Sequence, residues 1–333
     1  MAVVTPGTAR DTRISPAPRR YPASMKIGFG APVSGAWATP ENLASFAARA
    51  EQAGYASLWS FQRLLVPEGS GMDPVYRSVL DPMAALTYAG AATSRIRLGV
   101  ATICLPYVSP AYLAKQAATV DILSGGRLNL GLGIGWMPEE FAATGASMAR
   151  RGARAAEYVA VLRRLWADGR SEFSGEFYEI PPSTVAPKPA QPGGPPILLG
   201  GLARPALERA GRIGDGWVTS SRTDLSRIAE GVAIVRAAAE QAGRDPDAMR
   251  IVCRGVVRAG PETPEPGEKG RQLLSGSLDQ IREDTRWLGD QGVTEVFYDL
   301  NWDPLVGSPD ADVASATARA ADILDGLAPS ADR

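Results

Sequence analysis

One stretch limits what this chain can fold into more than any other: Arg95 to Met137, reading RIRLGVATICLPYVSPAYLAKQAATVDILSGGRLNLGLGIGWM. It holds two near-continuous apolar strands, Ile96 to Leu105 and Leu128 to Ile134, joined by a helix that starts at Ser109-Pro110 and stops at Gly125-Gly126. Strands linked by a crossover helix pair in parallel, with both faces buried and a right-handed connection. Each strand ends in unusual residues, Leu105-Pro106-Tyr107 on one and Gly131, Gly133 and Gly135-Trp136 on the other. Parallel α/β sheets place their ligands at these ends.

The same alternation runs along the chain. Further strands are expected at Met25 onward, Ser57 to Phe61, Pro196 to Gly201, Gly216 to Ser221, Arg250 to Val257 and Glu295 to Leu300. Helix starts are written at Thr39-Pro40, Asp81-Pro82, Asp224, Ser277 and Asp312, where a side-chain acceptor or an early proline satisfies the first turn. Eight strands alternating with eight helices predict an α/β fold, a closed (β/α)8 TIM barrel with loop insertions at the C-terminal face of the strands. It would cover residues 25–330, with Tyr298-Asp299-Leu300 bonded beside the first strand. An open Rossmann-like sheet is the runner-up, but no GxGxxG opens a helix directly after the first strand. Residues 1–24 read as a disordered tail, or as the product of a start codon upstream of Met25. Gln62 to Leu80 is too long for a simple connection and is a candidate lid or substrate loop. A small hairpin is expected in FSGEFYEIPP.

Composition removes whole classes of chemistry. The chain has no histidine, which excludes Ser-His-Asp and Cys-His triads and argues against zinc. Cys104 and Cys253 fall in expected buried strands without metal-site spacing, so no metal is expected and the compartment reads as reducing and cytoplasmic. Lys+Arg 35 against Asp+Glu 36 offers no basic surplus for nucleic acid, and no apolar run reaches the roughly 20 residues of a membrane span. The strand ends, among them Gln62-Arg63, Ala101 to Leu105, Gly133 to Trp136, Gly200-Gly201, Thr219 to Ser221 and Arg254, make a mouth that is apolar, aromatic and rich in small residues. Such a mouth suits a flat organic cofactor better than hydrolysis. Gly131, Gly133 and Gly135 either clear space for that ligand or let barrel layers pack. Gly200-Gly201 with Thr219 and Ser220 could hold a phosphate, though hydroxyls there also suit helix capping.

The segments SLWSFQRLLVP, RIRLGVATICLPYVSPAYLAKQAATVDILSGGRLNLGLGIGWMPEEF, PILLGG and ALERAGRIGDGW resemble the luciferase-like monooxygenase superfamily, barrels that use FMN or the deazaflavin coenzyme F-420. Within it the chain is most similar to deazaflavin-dependent oxidoreductases. The resemblance implies a non-prolyl cis peptide at Ala101-Thr102, bulged against the central flavin ring. It implies that Gly133, Gly135 and Trp136 flank the ring, and that Gly200-Gly201, with Thr219 and Ser220 nearby, hold the ribityl and phosphate.

The departures from the family pattern are equally informative. Sugar-phosphate dehydrogenases of the superfamily carry Asp-His and Glu where this chain has Gln62-Arg63 and Trp136, so the base an alcohol dehydrogenase needs is missing. FMN-using luciferases carry an arginine at the position of Ile134, with Arg254 or Arg63 as spatial substitutes here. The expectation is therefore an F-420-dependent oxidoreductase acting on a small organic substrate through an activated C=C, C=N or C=O group. Gln62 would bond cofactor or substrate, with Glu139, Glu140 or Tyr107 as proton donor; the glutamates equally suit an acidic helix start. Arg150, Arg151 and Arg154 either reach an acidic cofactor tail or form a solvated face. The alternatives are an FMN monooxygenase fed by a separate cofactor reductase, and a catalytically silent flavin-binding barrel. A homodimer through exposed apolar helix faces is also expected.

Overall fold

The computed structural model describes residues 25–261 and 271–329. The chain begins with β1 (Lys26–Gly30), α1 (Pro40–Gln52), β2 (Ser57–Ser60), α2 (Pro82–Ala91), β3 (Arg97–Cys104), α3 (Pro110–Leu123) and β4 (Leu128–Gly133). Two helices, α4 (Pro138–Thr144) and α5 (Arg151–Trp166), and an antiparallel hairpin, β5 (Arg170–Ser174) with β6 (Glu179–Thr184), then precede β7 (Ile197–Gly200). After α6 (Arg204–Ile213), β8 (Gly216–Val218), α7 (Ile228–Gln241) and β9 (Arg250–Val256) comes a small parallel pair, β10 (Arg258–Ala259) and β11 (Ser275–Gly276). The chain closes with α8 (Leu278–Asp290), β12 (Glu295–Asp299) and α9 (Val313–Gly326).

Among the described residues β1, β12, β9, β8, β7, β4, β3 and β2 close into a parallel barrel in that order. β1 pairs with β12 in register Phe29 to Tyr298, the closure expected from the sequence. The open-sheet alternative falls with that pairing. The expected tail, residues 1–24, lies outside the described residues, as does part of the loop between β10 and β11. No described helix is long and apolar enough to cross a membrane.

Helix starts follow their caps. Thr39 accepts from the Asn42 N–H, Asp81 from Ala84, Ser109 from Tyr112 and Asp312 from Ser315, while Ser277 and Gln280 form a reciprocal capping box. Asp224 behaves differently from expectation. Its carboxylate takes both the N–H and the hydroxyl of Ser226, closing a tight 3-10 turn over Leu225–Arg227, so α7 starts only at Ile228. The Pro138-Glu139-Glu140 run, which also suited a helix start, does open α4.

The barrel interior is sealed at its N-terminal end. Trp59 and Phe297 stack at 5.1 Å among Leu198, Val218 and Val252, and the ring of Trp59 occupies the space a Cβ on Gly99 would need. Below them the Trp59 indole donates to Glu295 Oε1 at 2.8 Å, Glu295 pairs with Arg250 at 3.1 Å, and Arg250 and Arg97 both donate to Asn129 Oδ1. With this end plugged by rings and charged hydrogen bonds, the accessible space lies at the C-terminal strand ends.

One carboxylate anchors the entry to β3. Glu51 accepts from the backbone N–H groups of Ser94 (3.0 Å), Arg95 (2.5 Å) and Ile96 (2.8 Å). Burial alone would raise its pKa, but the Ile96, Arg95 and Ser94 hydrogen bonds win and hold it at about 2. A depressed acid pKa contributes stability above the ordinary value of 4.5, and that contribution is lost as pH falls toward about 2. Glu51→Gln is expected to cost about 2 kcal/mol at neutral pH and to flatten stability across that acid window, read by urea unfolding as a function of pH. An unchanged pH slope would remove Glu51 from this role.

Candidate active site

The C-terminal strand ends surround a cavity of about 350 Å³. A larger open groove of about 730 Å³, between the Pro304–Asp312 segment and α9, shares no residue with it. One wall is the end of β3. The Ala101-Thr102 peptide is cis, as the resemblance implies, and the β3–β4 register shifts between Val100 and Ile103 to form a bulge. The bulge accounts for the glycines of β4. A Cβ on Gly131 would lie 2.0 Å from the Val100 carbonyl oxygen, and one on Gly133 would lie 2.6 Å from Thr102 Oγ1. Gly131 therefore serves strand packing, whereas Gly133 both admits Thr102 and lines the cavity. Gly135 takes φ +70°, with Tyr107 and Phe141 packed where its side chain would be.

A second end is built from β7 and β8. Gly200 and Gly201 lie on the cavity wall ahead of α6, and Gly201 adopts φ +146° with Ala206 directly against it, a position an L side chain would not fit. Thr219, Ser220 and Ser221 face the same space, with Arg222 beside them. The Thr219 hydroxyl accepts from the Arg254 N–H at 2.8 Å, and Ser220 is engaged in the turn through Arg222 and Thr223. Ser221 caps no helix: Asp224 closes the 3-10 turn that precedes α7, whose own N-cap, Arg227, makes no side-chain cap bond. The Arg222 guanidinium has no carboxylate partner among the described residues and lies 4.5 Å from the centre of the Trp136 ring. Hydroxyls, a glycine turn before a helix and a free guanidinium together fit an anionic group.

The third side holds the ionisable groups. Arg63 Nη1 pairs with Glu140 Oε2 at 3.0 Å, both side chains about 5% exposed, and Glu140 Oε1 accepts from the Leu64 N–H at 2.8 Å. Arg254 pairs with Asp299 at 3.1 Å and lies 4.6 Å from the Trp302 ring centre. Burial lowers the Arg254 pKa, against which the Asp299 charge raises it. Gln62 accepts from the Cys104 N–H at 2.8 Å, leaving its amide NH₂ for a ligand. Cys104 lines the cavity as a thiol, its pKa pushed up to about 12 by burial and then by the Glu140 charge. No cluster of described residues could hold a metal ion.

Residues 21–295 match the sequence model of the luciferase-like monooxygenase family. The chain belongs to that family. At 19% identity this luciferase-like barrel has a TM-score of 0.74 to the F420-dependent secondary alcohol dehydrogenase in complex with an F420-acetone adduct, covering 93% of this chain and 99% of that one, which shows the shared fold. It is 32% identical over 246 residues to the F420-dependent hydroxymycolic acid dehydrogenase of Mycobacterium tuberculosis, 73% of this chain and 65% of that protein. It is 32% identical over 177 residues to the FMNH(2)-dependent dimethylsulfone monooxygenase of Pseudomonas putida, 52% of this chain and 47% of that protein. The chain thus spans about half to two thirds of the length of the curated relatives it matches.

Most residues singled out in the sequence meet around this cavity: Gln62, Ala101 and Thr102, Gly133 to Trp136, Gly200-Gly201, Thr219 and Ser220. Two do not. Glu139 is exposed on the first turn of α4 and is absent from the cavity wall, because on a helix its successor Glu140 is the one turned inward. Tyr107 packs edge-to-face on Phe141 at 5.1 Å, behind Gly135 rather than on the wall. Burial, with Cys104 and Glu140 adding to it, raises its pKa and keeps it a phenol. Arg150 pairs with Glu176 on the surface, and Arg151 donates to the Gly135 carbonyl at 2.9 Å. Arg222, Tyr76 and Trp302 carried no signal in the sequence, whereas Cys104 falls within the Ala101 to Leu105 strand end expected at the mouth.

Proposed function

We propose that this luciferase-like barrel is an oxidoreductase that uses coenzyme F-420 for hydride transfer to or from an activated C=C, C=N or C=O group of a small organic molecule. One observation carries the reading: a single cavity joins an anion-receiving end, Gly200-Gly201, Ser221 and Arg222, to a flat apolar middle between the β3 bulge and Gly133. A cofactor with a planar ring and a phosphorylated tail fits that division. Such a cofactor supplies the hydride chemistry when bound. The protein's part is to orient the ring on Ala101 and Thr102, to offer the Gln62 amide, and to exclude water with Trp136 and Trp302. Gln62 and Arg63 at the end of β2 provide no base for an alcohol hydroxyl, so reduction of an unsaturated group is favoured over alcohol oxidation.

Ile134 on the wall and the F420-dependent relative favour the deazaflavin. Arg222 favours a second reading, an FMN monooxygenase supplied by a separate reductase, because it offers a guanidinium near the anion end that Ile134 does not. The two separate in one experiment. Under anaerobic conditions the protein with reduced F-420 is expected to oxidise it upon addition of at least one of a panel of enones, imines and quinones. No turnover with any acceptor, together with protein-dependent formation of an oxygenated product in a parallel aerobic assay supplied with reduced FMN, would establish the second reading instead.

A further inference from the structure

Trp136 keeps company at the cavity mouth that its place in the chain does not announce. The resemblance puts it beside a flat cofactor ring, yet two guanidinium groups lie against its indole, Arg222 at 4.5 Å and Arg63 at 5.1 Å from the ring centre. Both fall within the reach of a cation–π contact, about 6 Å. The two arginines differ in charge balance. Arg63 pairs with Glu140 at 3.0 Å, and Arg254, which also lines the cavity, pairs with Asp299 at 3.1 Å. Arg222 is exposed and has no carboxylate partner among the described residues, so Trp136 is what holds its head group. The indole stands on a firm base. Gly135 turns the chain at φ +70° against Tyr107 and Phe141, Arg151 donates to the Gly135 carbonyl at 2.9 Å, and Met137 on the other side is 2% exposed. The backbone of Arg222 is equally defined, its N–H donating to the Ser220 hydroxyl at 3.2 Å. Between these anchors only the arginine stem is free to move.

We propose that Trp136 is a positioning residue for the anion end of the cavity: it braces Arg222 on the wall shared with Gly200, Gly201 and Ser221, and does not itself stack on the flat ring of a ligand. An exposed arginine that moves freely in water must freeze its rotamers when it takes an oxyanion, whereas a braced one has done so beforehand. A carboxylate could brace it as well, but would cancel its charge and occupy its fork. An aromatic ring holds a guanidinium without neutralising it and leaves its N–H groups for a phosphate oxygen. The indole therefore acts on the phosphate only through Arg222. The same contact engages the ring of Trp136, so a phosphate-free ligand gains nothing from it.

This inference rests on the reading of that end as the seat of the cofactor phosphate, and its test separates the two. Isothermal titration calorimetry on the full chain without cofactor compares three probes: F-420, the deazariboflavin that lacks its phosphate and tail, and D-ribose 5-phosphate, which lacks the ring. Trp136→Leu is expected to weaken both phosphate-bearing probes about fivefold, the scale of one exposed cation–π contact, and to leave deazariboflavin unchanged. Trp136→Phe, which keeps a ring, should stay within about twofold of the wild type. Arg222→Met should weaken the phosphate-bearing probes about tenfold or more, and adding Trp136→Leu to it should cost nothing further. Should Trp136→Leu fail to fold, Arg222→Lys, which keeps the charge but not the planar group, should show the same loss of about fivefold. An equal loss for deazariboflavin, no loss for the phosphate-bearing probes, or the full effect of Trp136→Leu persisting beside Arg222→Met would each overturn the proposal while leaving the anion end in place. Phosphate binding unmoved by Arg222→Met, or no binding of any probe, would remove the anion end itself and this role of Trp136 with it.

Discussion

Asp299→Ala is expected to destabilise the protein by about 3–5 kcal/mol, the cost of leaving a buried charge without its partner. Asp299 is 1% exposed and pairs with Arg254 at 3.1 Å; Arg254, 6% exposed, lies among Phe61, Phe297 and Trp302 with ring centres at 5.1, 5.6 and 4.6 Å. Asn301 loses an acceptor at the same time, since its N–H and its side-chain amide both donate to Asp299 Oδ1, which leaves the amide only the Ala31 carbonyl. Equilibrium urea unfolding gives the number. Replacing the whole pair, Arg254→Met with Asp299→Leu, should recover most of the loss, because apolar side chains of similar volume remove the desolvation cost. A loss under about 1 kcal/mol for Asp299→Ala would mean that Arg254 finds water or another partner.

Gly200→Val should abolish cofactor binding, with at least about a hundredfold loss, while costing little stability. The added Cβ meets only Thr102 Cγ2 at 3.1 Å and otherwise lies in ordinary contact, so β7 should accommodate it within roughly 1 kcal/mol. Its methyl groups enter the cavity between the β3 bulge and the anion end, where a planar ring and its tail must join. The contrast with Gly131→Ala is diagnostic. There the new methyl would fall 2.0 Å from the Val100 carbonyl, so strand pairing rather than ligand binding should suffer. Equal effects of both substitutions on stability would remove the distinction between a packing glycine and a site glycine.

Much of the barrel could be read before the structure because its signals are local. A cap such as Thr39, Asp81 or Ser277 acts on an N–H two or three residues ahead, and an apolar run such as Leu128 to Leu132 declares a strand buried on both faces. The glycines of β4 were legible as spacing but not as cause. What fills the space beside Gly131 and Gly133 is Val100 and Thr102 of the neighbouring strand, set by a register shift that no local pattern encodes. The pairing of Arg63 with Glu140 spans two loops and depends on which of two adjacent glutamates turns inward, a choice made by the angle at which α4 leaves β4. Arg222 carried no motif, and it enters the site only because the turn after β8 folds it over Trp136.

The occupant of the cavity at the ends of β3, β4 and β7 decides what this barrel does. Equilibrium titration of the cofactor-free full chain with oxidised F-420, and separately with FMN, followed by quenching of protein fluorescence, tests it most directly. Saturable binding of one F-420 per chain, weaker binding of FMN, and loss of both in Gly200→Val are expected. Tight FMN binding with none of F-420 would contradict the choice of cofactor, and binding of neither would contradict the reading of this cavity as a flavin or deazaflavin site.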